Sequence, residues 1–361
     1  MQNRAEAHIN LQAISRNVER LKKTAGTDLL AVVKADAYGH GLLEVSKTAL
    51  LAGADWLGVA LLEEAITLRK AGITAPILAW LVPPGSDFQL ALTHNIDIAI
   101  SSIEAFEQIS KLNGKARVHI EVDTGMTRGG FLDEWQEFLR SDFSTVEVVG
   151  FFSHFARADE PKEKQNRDQV TRFNAMLLEL EAVGVRPPVK HLSNSAATLA
   201  DHASALSMVR TGIAMYGLTP DTRMGSSDSF GLVPAMTLRA KLHLVKNVPA
   251  GSPVGYGATE VTTRDTRLGV VAMGYADGIP RIARNAGVVF DGVRAPIIGR
   301  VSMDQFVVDL GPESSAQSGD WVTVFGVDGY TADDWALASQ SVNYEIVTRI
   351  GPRVPRIYDH G

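Results

Sequence analysis

The string Lys34-Ala35-Asp36-Ala37-Tyr38-Gly39-His40-Gly41 puts an amine, a phenol, an imidazole and two glycines side by side. It follows directly on Leu29-Leu30-Ala31-Val32-Val33, an apolar run that predicts a buried strand. Reactive groups then stand at the carboxyl end of a strand, where α/β enzymes build their sites. A lysine held there can lose its charge by desolvation and attack a carbonyl to form a Schiff base. Taken alone, a strand-end lysine is more often a solvated surface charge.

Further apolar runs follow at regular intervals. Candidate strands cover 29–33, 56–60, 77–80, 97–100, 116–122, 146–152, 189–192 and 207–210, eight in all. Amphipathic helical patterns lie between them. One is Leu62–Lys70, closed by Gly72; another is Ser102–Ile109, capped by Ser101 or Ser102. Eight β-α units indicate a (β/α)8 TIM barrel. A doubly wound sheet usually has fewer strands, and no glycine-rich dinucleotide fingerprint follows the first one. After about residue 225 the pattern changes to period two, as in Met236–Val245. Val288–Arg294 reads as a hairpin with an Asp-Gly turn, and 305–310 and 321–326 as further strands. The fold class expected is therefore α/β: a barrel over 1–225, then a mainly-β domain over 226–361, with 224–229 as the linker. The first ten or so residues are expected to pair with the β domain.

The chain of 361 residues has length enough for two domains and a large core. A net charge of −6, from 35 basic and 41 acidic residues without a long basic run, argues against nucleic acid and anionic membrane as partners. With no cysteine, disulfides, thiolate chemistry and cysteine metal sites are excluded, and no metal is expected. Met1–His8 has no apolar signal core, and no stretch approaches the ~18 apolar residues of a membrane helix. The expected compartment is the cytoplasm.

Two later strings could cradle an anion. In Met208–Gly217, Gly212 lets backbone approach closely, and the amides of Gly212 and Ile213 would face the anion. In His191–Ser195, Ser195 can donate a hydroxyl, although Asn194-Ser195 reads equally as a helix cap.

Together these strings resemble the alanine racemases, pyridoxal 5'-phosphate (PLP) enzymes of fold type III. The matches run in register to Arg353–Tyr358. The resemblance implies that Lys34 carries the cofactor. It also implies that Tyr38 and Tyr344, with Asn194, Ser195, Gly212 and Ile213, help to hold its phosphate. Arg210 matches the arginine facing the pyridine nitrogen, where a permanently charged guanidinium donates a hydrogen bond without protonating the ring; by itself it could equally be a structural ion pair. His154, in Phe151–Asp159, is assigned to the cofactor environment and linked to Arg210, although a lone histidine beside phenylalanines is more often a core residue.

Racemisation needs two bases on opposite faces of the cofactor. Lys34 supplies one. Tyr256, in Val254–Thr259, matches the other, which in the family comes from the second subunit of a homodimer; without the resemblance it would read as a packed turn residue. A phenol ordinarily holds its proton to about pH 10, so such a base needs a cationic neighbourhood, which His154 and Arg210 are expected to provide. Two further segments match this partner-side contribution: Tyr275 matches the substrate entrance, and Met303, with Asp304 beside it, matches the segment at the substrate carboxylate. Ser302 stands where relatives often have cysteine, a near-isosteric change.

Arg128, in His119–Arg128, corresponds to the arginine that bonds the cofactor phenolic oxygen and the substrate carboxylate. Some relatives orient it with an N-carboxylated lysine, where this chain has Glu121. An ion pair between Glu121 and Arg128 is therefore expected, with the carboxyl at or below its usual value of about 4.3; a strand glutamate facing solvent is the plainer reading. The substrate expected is L- or D-alanine, with D-alanine feeding peptidoglycan synthesis. The alternatives are a broader-specificity racemase acting on residues such as serine, and a non-catalytic PLP carrier, which would lack the β domain.

Overall fold

The computed structural model describes residues 3–200 and 206–359. The chain divides into two compact units: Ile14–Ala37 with Leu42–Val233, and Met1–Ala13 with Tyr38–Gly41 and Pro234–Gly361. The segment 224–229 is bordered by the short 3-10 turns Thr222–Met224 and Asp228–Phe230.

β1 (Ala5–Asn10) belongs to the second unit. The next eight strands close the first unit into a parallel barrel: β2 (Asp28–Val32), β3 (Trp56–Val59), β4 (Ile77–Ala79), β5 (Asp97–Ile100), β6 (Arg117–Glu121), β7 (Glu147–Phe152), β8 (Val189–His191) and β9 (Met208–Thr211). β9 pairs back to β2, with Leu30 opposite Arg210. These are the expected strands, and the reason is visible in β2. Leu29, Leu30 and Ala31 are all fully buried, because helices cover one face of the ring and packed side chains fill the other. The helix Leu62–Lys70 begins where Glu64 accepts from the amides of Ala60 and Leu61. Ser102 caps Ile103–Ile109 by accepting from the Ala105 amide. The β6–β7 pairing slips between Val118 and His119, which sets His119 opposite Gly150.

The second unit is built on a mostly antiparallel sheet. β10 (Met236–Val248) is its spine, with side chains from Met236 to Leu242 alternating strictly between buried and half-buried. It pairs with β1, which itself pairs in parallel with the last strand, so the first residues and the last are stitched into one sheet. A bulge between Leu242 and Leu244 lets β10 continue against a second set of partners. β11 (Pro253–Val254) and β12 (Glu260–Val261) form a separate two-stranded ribbon. β13 (Thr266–Val271), β14 (Gly287–Phe290), β15 (Val293–Pro296), β16 (Phe306–Asp309), β17 (Trp321–Phe325) and β18 (Arg356–Asp359) complete the sheet. The hairpin of β14 and β15 turns through Asp291 and Gly292, at φ of 48° and 76°, as the Asp-Gly signal predicts. Two short helices, Ala332–Ala338 and Asn343–Thr348, interrupt the strands. Among the described residues no helix is long and apolar enough to cross a membrane.

Candidate active site

Lys34 follows β2 at the carboxyl end of the barrel. The backbone then does something no sequence pattern signalled. Ala35, Asp36, Ala37 and Tyr38 all adopt φ of 52–53°, a left-handed turn of four consecutive residues with Cβ atoms. Each such residue costs about 1–2 kcal/mol relative to the right-handed form, so the surroundings must hold the turn. Within the barrel unit, Glu64 accepts from the Ala35 amide at 2.6 Å, Val33 accepts from the Ala37 amide at 2.9 Å, and Asp36 accepts from the Leu42 amide at 2.8 Å. Strain of this kind concentrates where a fold must aim a group. The Lys34 ammonium lies 5.8 Å from the centre of the Trp80 ring. Burial, then the charge of Arg128, lowers its pKa, and Glu64 opposes this only in part. A lowered pKa leaves more of the amine neutral, which is what a nucleophile or base requires.

Arg128 sits in a loop that returns on its own strand. Asp123 gathers the amides of Gly125, Met126 and Thr127 at 2.8–3.1 Å, Thr127 takes φ of 56°, and the Phe131 amide donates to the Glu121 carbonyl. The expected pair with Glu121 does not form. Among the described residues Glu121 makes no ion pair, and its carboxylate lies against Gly129, where a Cβ would stand 3.3 Å from either oxygen. Nor is its pKa held low. Burial raises it, more than the charges of Arg210 and Arg128 lower it. The loop closes backbone to backbone, and Arg128 acts on the carboxylate only through its charge, without an ion pair.

Arg210 points into the barrel, only 6% exposed. Every group it meets accepts: Nη1 donates to His191 Nδ1 at 3.0 Å, and Nη2 to the Ser153 carbonyl at 2.8 Å, His154 Nδ1 at 3.1 Å and the Leu192 carbonyl at 3.3 Å. The guanidinium also lies 5.4 Å from the centre of the Phe152 ring. Burial lowers its pKa to about 10, so it remains charged at neutral pH. The expected link to His154 is present. The expected positive charge on His154 is not, because burial and then the cations Arg210, Arg128 and Lys34 push its pKa down to about 3. The imidazole is neutral and serves Arg210 as an acceptor.

Asn194 caps the helix Ser195–Leu199, accepting from the Ala197 amide at 3.0 Å, and its Nδ2 lies 3.5 Å from His154 Nε2. The Ser195 hydroxyl accepts from the amides of Gly212 at 2.9 Å and Ala214 at 3.4 Å, so the Gly212 amide expected to face an anion is engaged with Ser195. Ile213 opens the turn Ile213–Tyr216. Among the described residues, the buried hydroxyls of Ser193 and Thr211, next along the chain to these residues, have no hydrogen-bond partner. An amine of lowered pKa, a charged guanidinium, a serine at two amides and unsatisfied hydroxyls form a donor set that suits a phosphorylated aldehyde such as PLP.

In the β unit, the rings of Tyr38 and Tyr344 meet at 6.2 Å and 45°. Tyr256 is 67% exposed, on a turn whose neighbours Gly255 and Gly257 have φ of 71° and 78°. Its loop is tied to the next: a Cβ on Gly255 would stand 3.3 Å from the Arg300 amide, and Glu260 accepts from the Gly299 amide at 2.9 Å. Tyr275 and Met303 share one backbone junction, the amides of Tyr275 and Ala276 donating to the carbonyls of Ser302 and Met303. Both side chains are exposed. Asp304 pairs with Arg353 at 2.7 Å. This unit thus brings Tyr256, Tyr275 and Met303 onto neighbouring loops.

Sequence reasoning passed over Trp80 and Glu64, which surround Lys34 and Ala35, and over His119 and His191 behind Arg210. The only available signal for the histidines was their place as polar residues inside strands expected to be apolar.

The chain matches the family model for the alanine racemase N-terminal domain over residues 9–220 and that for the C-terminal domain over residues 235–358. It is 47% identical over 370 residues to the alanine racemase of Salinispora tropica, covering 98% of each chain. It is 43% identical to that of Mycobacterium bovis over 372 residues, 98% of this chain and 96% of the relative. The crystal structure of alanine racemase from D-cycloserine-producing Streptomyces lavendulae superposes with a TM-score of 0.96 at 44% identity, covering 100% of this chain and 98% of that one. The Bacillus anthracis alanine racemase with bound L-Ala-P superposes with a TM-score of 0.92 at 36% identity, covering 100% and 96%. With both domain models matched in order and close sequence identity along its length, this chain belongs to the alanine racemase family.

Proposed function

We propose that this chain interconverts L-alanine and D-alanine by a two-base, PLP-dependent mechanism, as a cytoplasmic homodimer whose D-alanine supplies peptidoglycan synthesis. The Lys34 amine carries the reading: it stands at the carboxyl end of a barrel strand, aimed by a left-handed turn, with its pKa lowered by burial and by Arg128. When bound, PLP supplies a carbonyl that condenses with amines and a conjugated ring that takes up the electron pair left at Cα. Lys34, Arg210, Ser195, Gly212 and Ile213 are assigned to hold it from the barrel. Asn194 and His154 support them, and Tyr38 and Tyr344 act at the phosphate.

Lys34 Nζ is assigned to move the Cα proton on one face. Tyr256 Oη, contributed by the other subunit, acts on the opposite face; its exposure within a single chain favours this. Arg128 and the partner subunit's Met303 orient the substrate carboxylate, with the partner subunit's Asp304 flanking, while the partner subunit's Tyr275 stands at the entrance. Arg210 keeps its own proton at neutral pH, since even lowered its pKa is about 10. When PLP is bound, Arg210 would therefore face its pyridine nitrogen as a hydrogen-bond donor that keeps its proton, an arrangement that would favour return of a proton to Cα over transamination.

The test is to incubate the PLP-loaded protein with a panel of single-enantiomer amino acids and follow optical rotation. L- and D-alanine should each decay to the racemate. Loss of rotation with serine at a comparable rate would replace the alanine assignment by a broader one, and no change with any amino acid would defeat the reading.

A further inference from the structure

Behind Arg210 the barrel interior holds a line of polar side chains that reaches no reacting atom. Asp97 opens β5, His119 lies within β6, and His191 ends β8. Asp97 Oδ2 is 3.3 Å from His119 Nε2, His119 Nδ1 is 2.9 Å from His191 Nε2, and His191 Nδ1 is 3.0 Å from Arg210 Nη1. Asp97, His119 and His191 are essentially without solvent exposure. The Trp56 ring meets His119 edge-on at 5.4 Å, and Phe152 stacks on His191 at 4.8 Å and 6°.

The ends of this line settle its interior. A guanidinium can only donate, and a carboxylate can only accept. Burial alone would raise the Asp97 pKa, but hydrogen bonds from His119 and Arg117 lower it overall, so it is ionised at neutral pH. Arg117 donates to it twice, at 2.8 and 3.1 Å. Both imidazoles are neutral, since burial lowers each below the ordinary histidine value. One arrangement then satisfies every atom. His191 accepts from Arg210 at Nδ1 and donates from Nε2. His119 accepts at Nδ1 and donates from Nε2 to Asp97.

We propose that Asp97, His119 and His191 form a positioning relay that pins Arg210: a carboxylate at the amino end of the barrel fixes both imidazoles as Nε2–H tautomers, so the guanidinium always meets a lone pair and keeps one orientation. The function of Arg210 rests on the racemase reading; the tautomers and the pinning do not.

The deciding comparison is His119→Gln against His119→Phe. A glutamine carries an N–H for Asp97 and a carbonyl for His191, so it preserves the direction of the relay. A phenylalanine matches the ring shape and breaks the relay. The relay predicts that Gln behaves as wild type and Phe does not; a packing role predicts the reverse. Three readouts apply. In wild-type protein labelled with [15N]histidine and loaded with PLP, two-bond 1H–15N spectra should show His119 and His191 as neutral Nε2–H forms. With 15N in the pyridine ring, the His119→Phe resonance should move while the His119→Gln resonance stays. PLP affinity should weaken at least about tenfold in His119→Phe, as expected when a hydrogen bond to a charged group is lost, and by less than about threefold in His119→Gln. If Phe disrupts folding, retention of the wild-type signals by Gln carries the test. An Nδ1–H form or an imidazolium at either histidine, or Phe matching wild type while Gln does not, overturns the relay. Absence of racemisation by wild type with both tautomers as stated would instead strike the functional reading.

Discussion

Replacing Gly150 by alanine should destabilise the barrel unit by about 1–3 kcal/mol, the range for forcing one extra carbon into a filled core. Gly150 lies on β7 beside His119, and a Cβ there would stand 2.5 Å from Cε1 and Cγ of the imidazole and closer still to Nδ1. The ring cannot withdraw, because Asp97 and His191 hold both nitrogens and Trp56 closes its edge. For a unit the size of the barrel, Ile14–Ala37 with Leu42–Val233, each kcal/mol moves the melting point by about 2–4 °C, so the barrel of the apoprotein should melt roughly 2–12 °C lower. Circular dichroism melts and urea titrations of Gly150→Ala, His119→Ala and the double variant measure it. If the clash is with His119, the loss on adding Gly150→Ala should largely vanish in the His119→Ala background. Gly351→Ala is the control: a Cβ there meets only the Ala276 carbonyl at 3.8 Å, so its change should stay within about 0.5 kcal/mol. A Gly150→Ala protein melting with wild type, or an equal loss without the His119 ring, would refute the account.

Mixed under conditions that exchange subunits, inactive Lys34→Ala and Tyr256→Phe homodimers should form a heterodimer that regains one working site of two; confirmed exchange with no returning activity would remove Tyr256 from the partner's site. Borohydride reduction of the loaded protein should leave the pyridoxyl label on Lys34, as peptide mapping would reveal. Glu121 should give stability that falls as pH rises. Its folded pKa is raised above the usual 4.5, so between those values the native state holds a proton the unfolded chain has lost. Urea titrations of the apoprotein from acid to neutral pH should show that slope in wild type and not in Glu121→Gln, which should be the more stable at pH 7. Intact mass should show no added carboxyl group on the chain, and dialysis against carbon-dioxide-free buffer should leave the rate unchanged. Arg210→Glu should favour a protonated ring and divert turnover to transamination, detected as pyruvate; slower racemisation without pyruvate would count against the role of Arg210.

The barrel was legible because its evidence is local. Leu29–Val33 is uninterrupted because a parallel strand is buried on both faces, and Met236–Leu242 alternates because a sheet with one face on the core must. The Asp-Gly hairpin and the Ser102 cap follow from chemistry between near neighbours. Lys34 at a strand end belongs to the same class of signal. What the tertiary structure decided was everything that depends on barrel closure and burial. No periodicity places Asp97, His119, His191 and Arg210 in one line, because they lie on four strands and meet only when the ring shuts. Ala35–Tyr38 carry no glycine until Gly39, so a left-handed turn held from outside by Glu64 left no mark in the chain. Glu121 and His154 were misjudged for one physical reason. An arginine in register suggested charge on Glu121, and the need of a tyrosine base for cationic neighbours suggested it on His154, but charge is set by the solvent a group loses and by the cations packed around it in space. Burial left the His154 imidazole neutral and pushed the Glu121 carboxyl up.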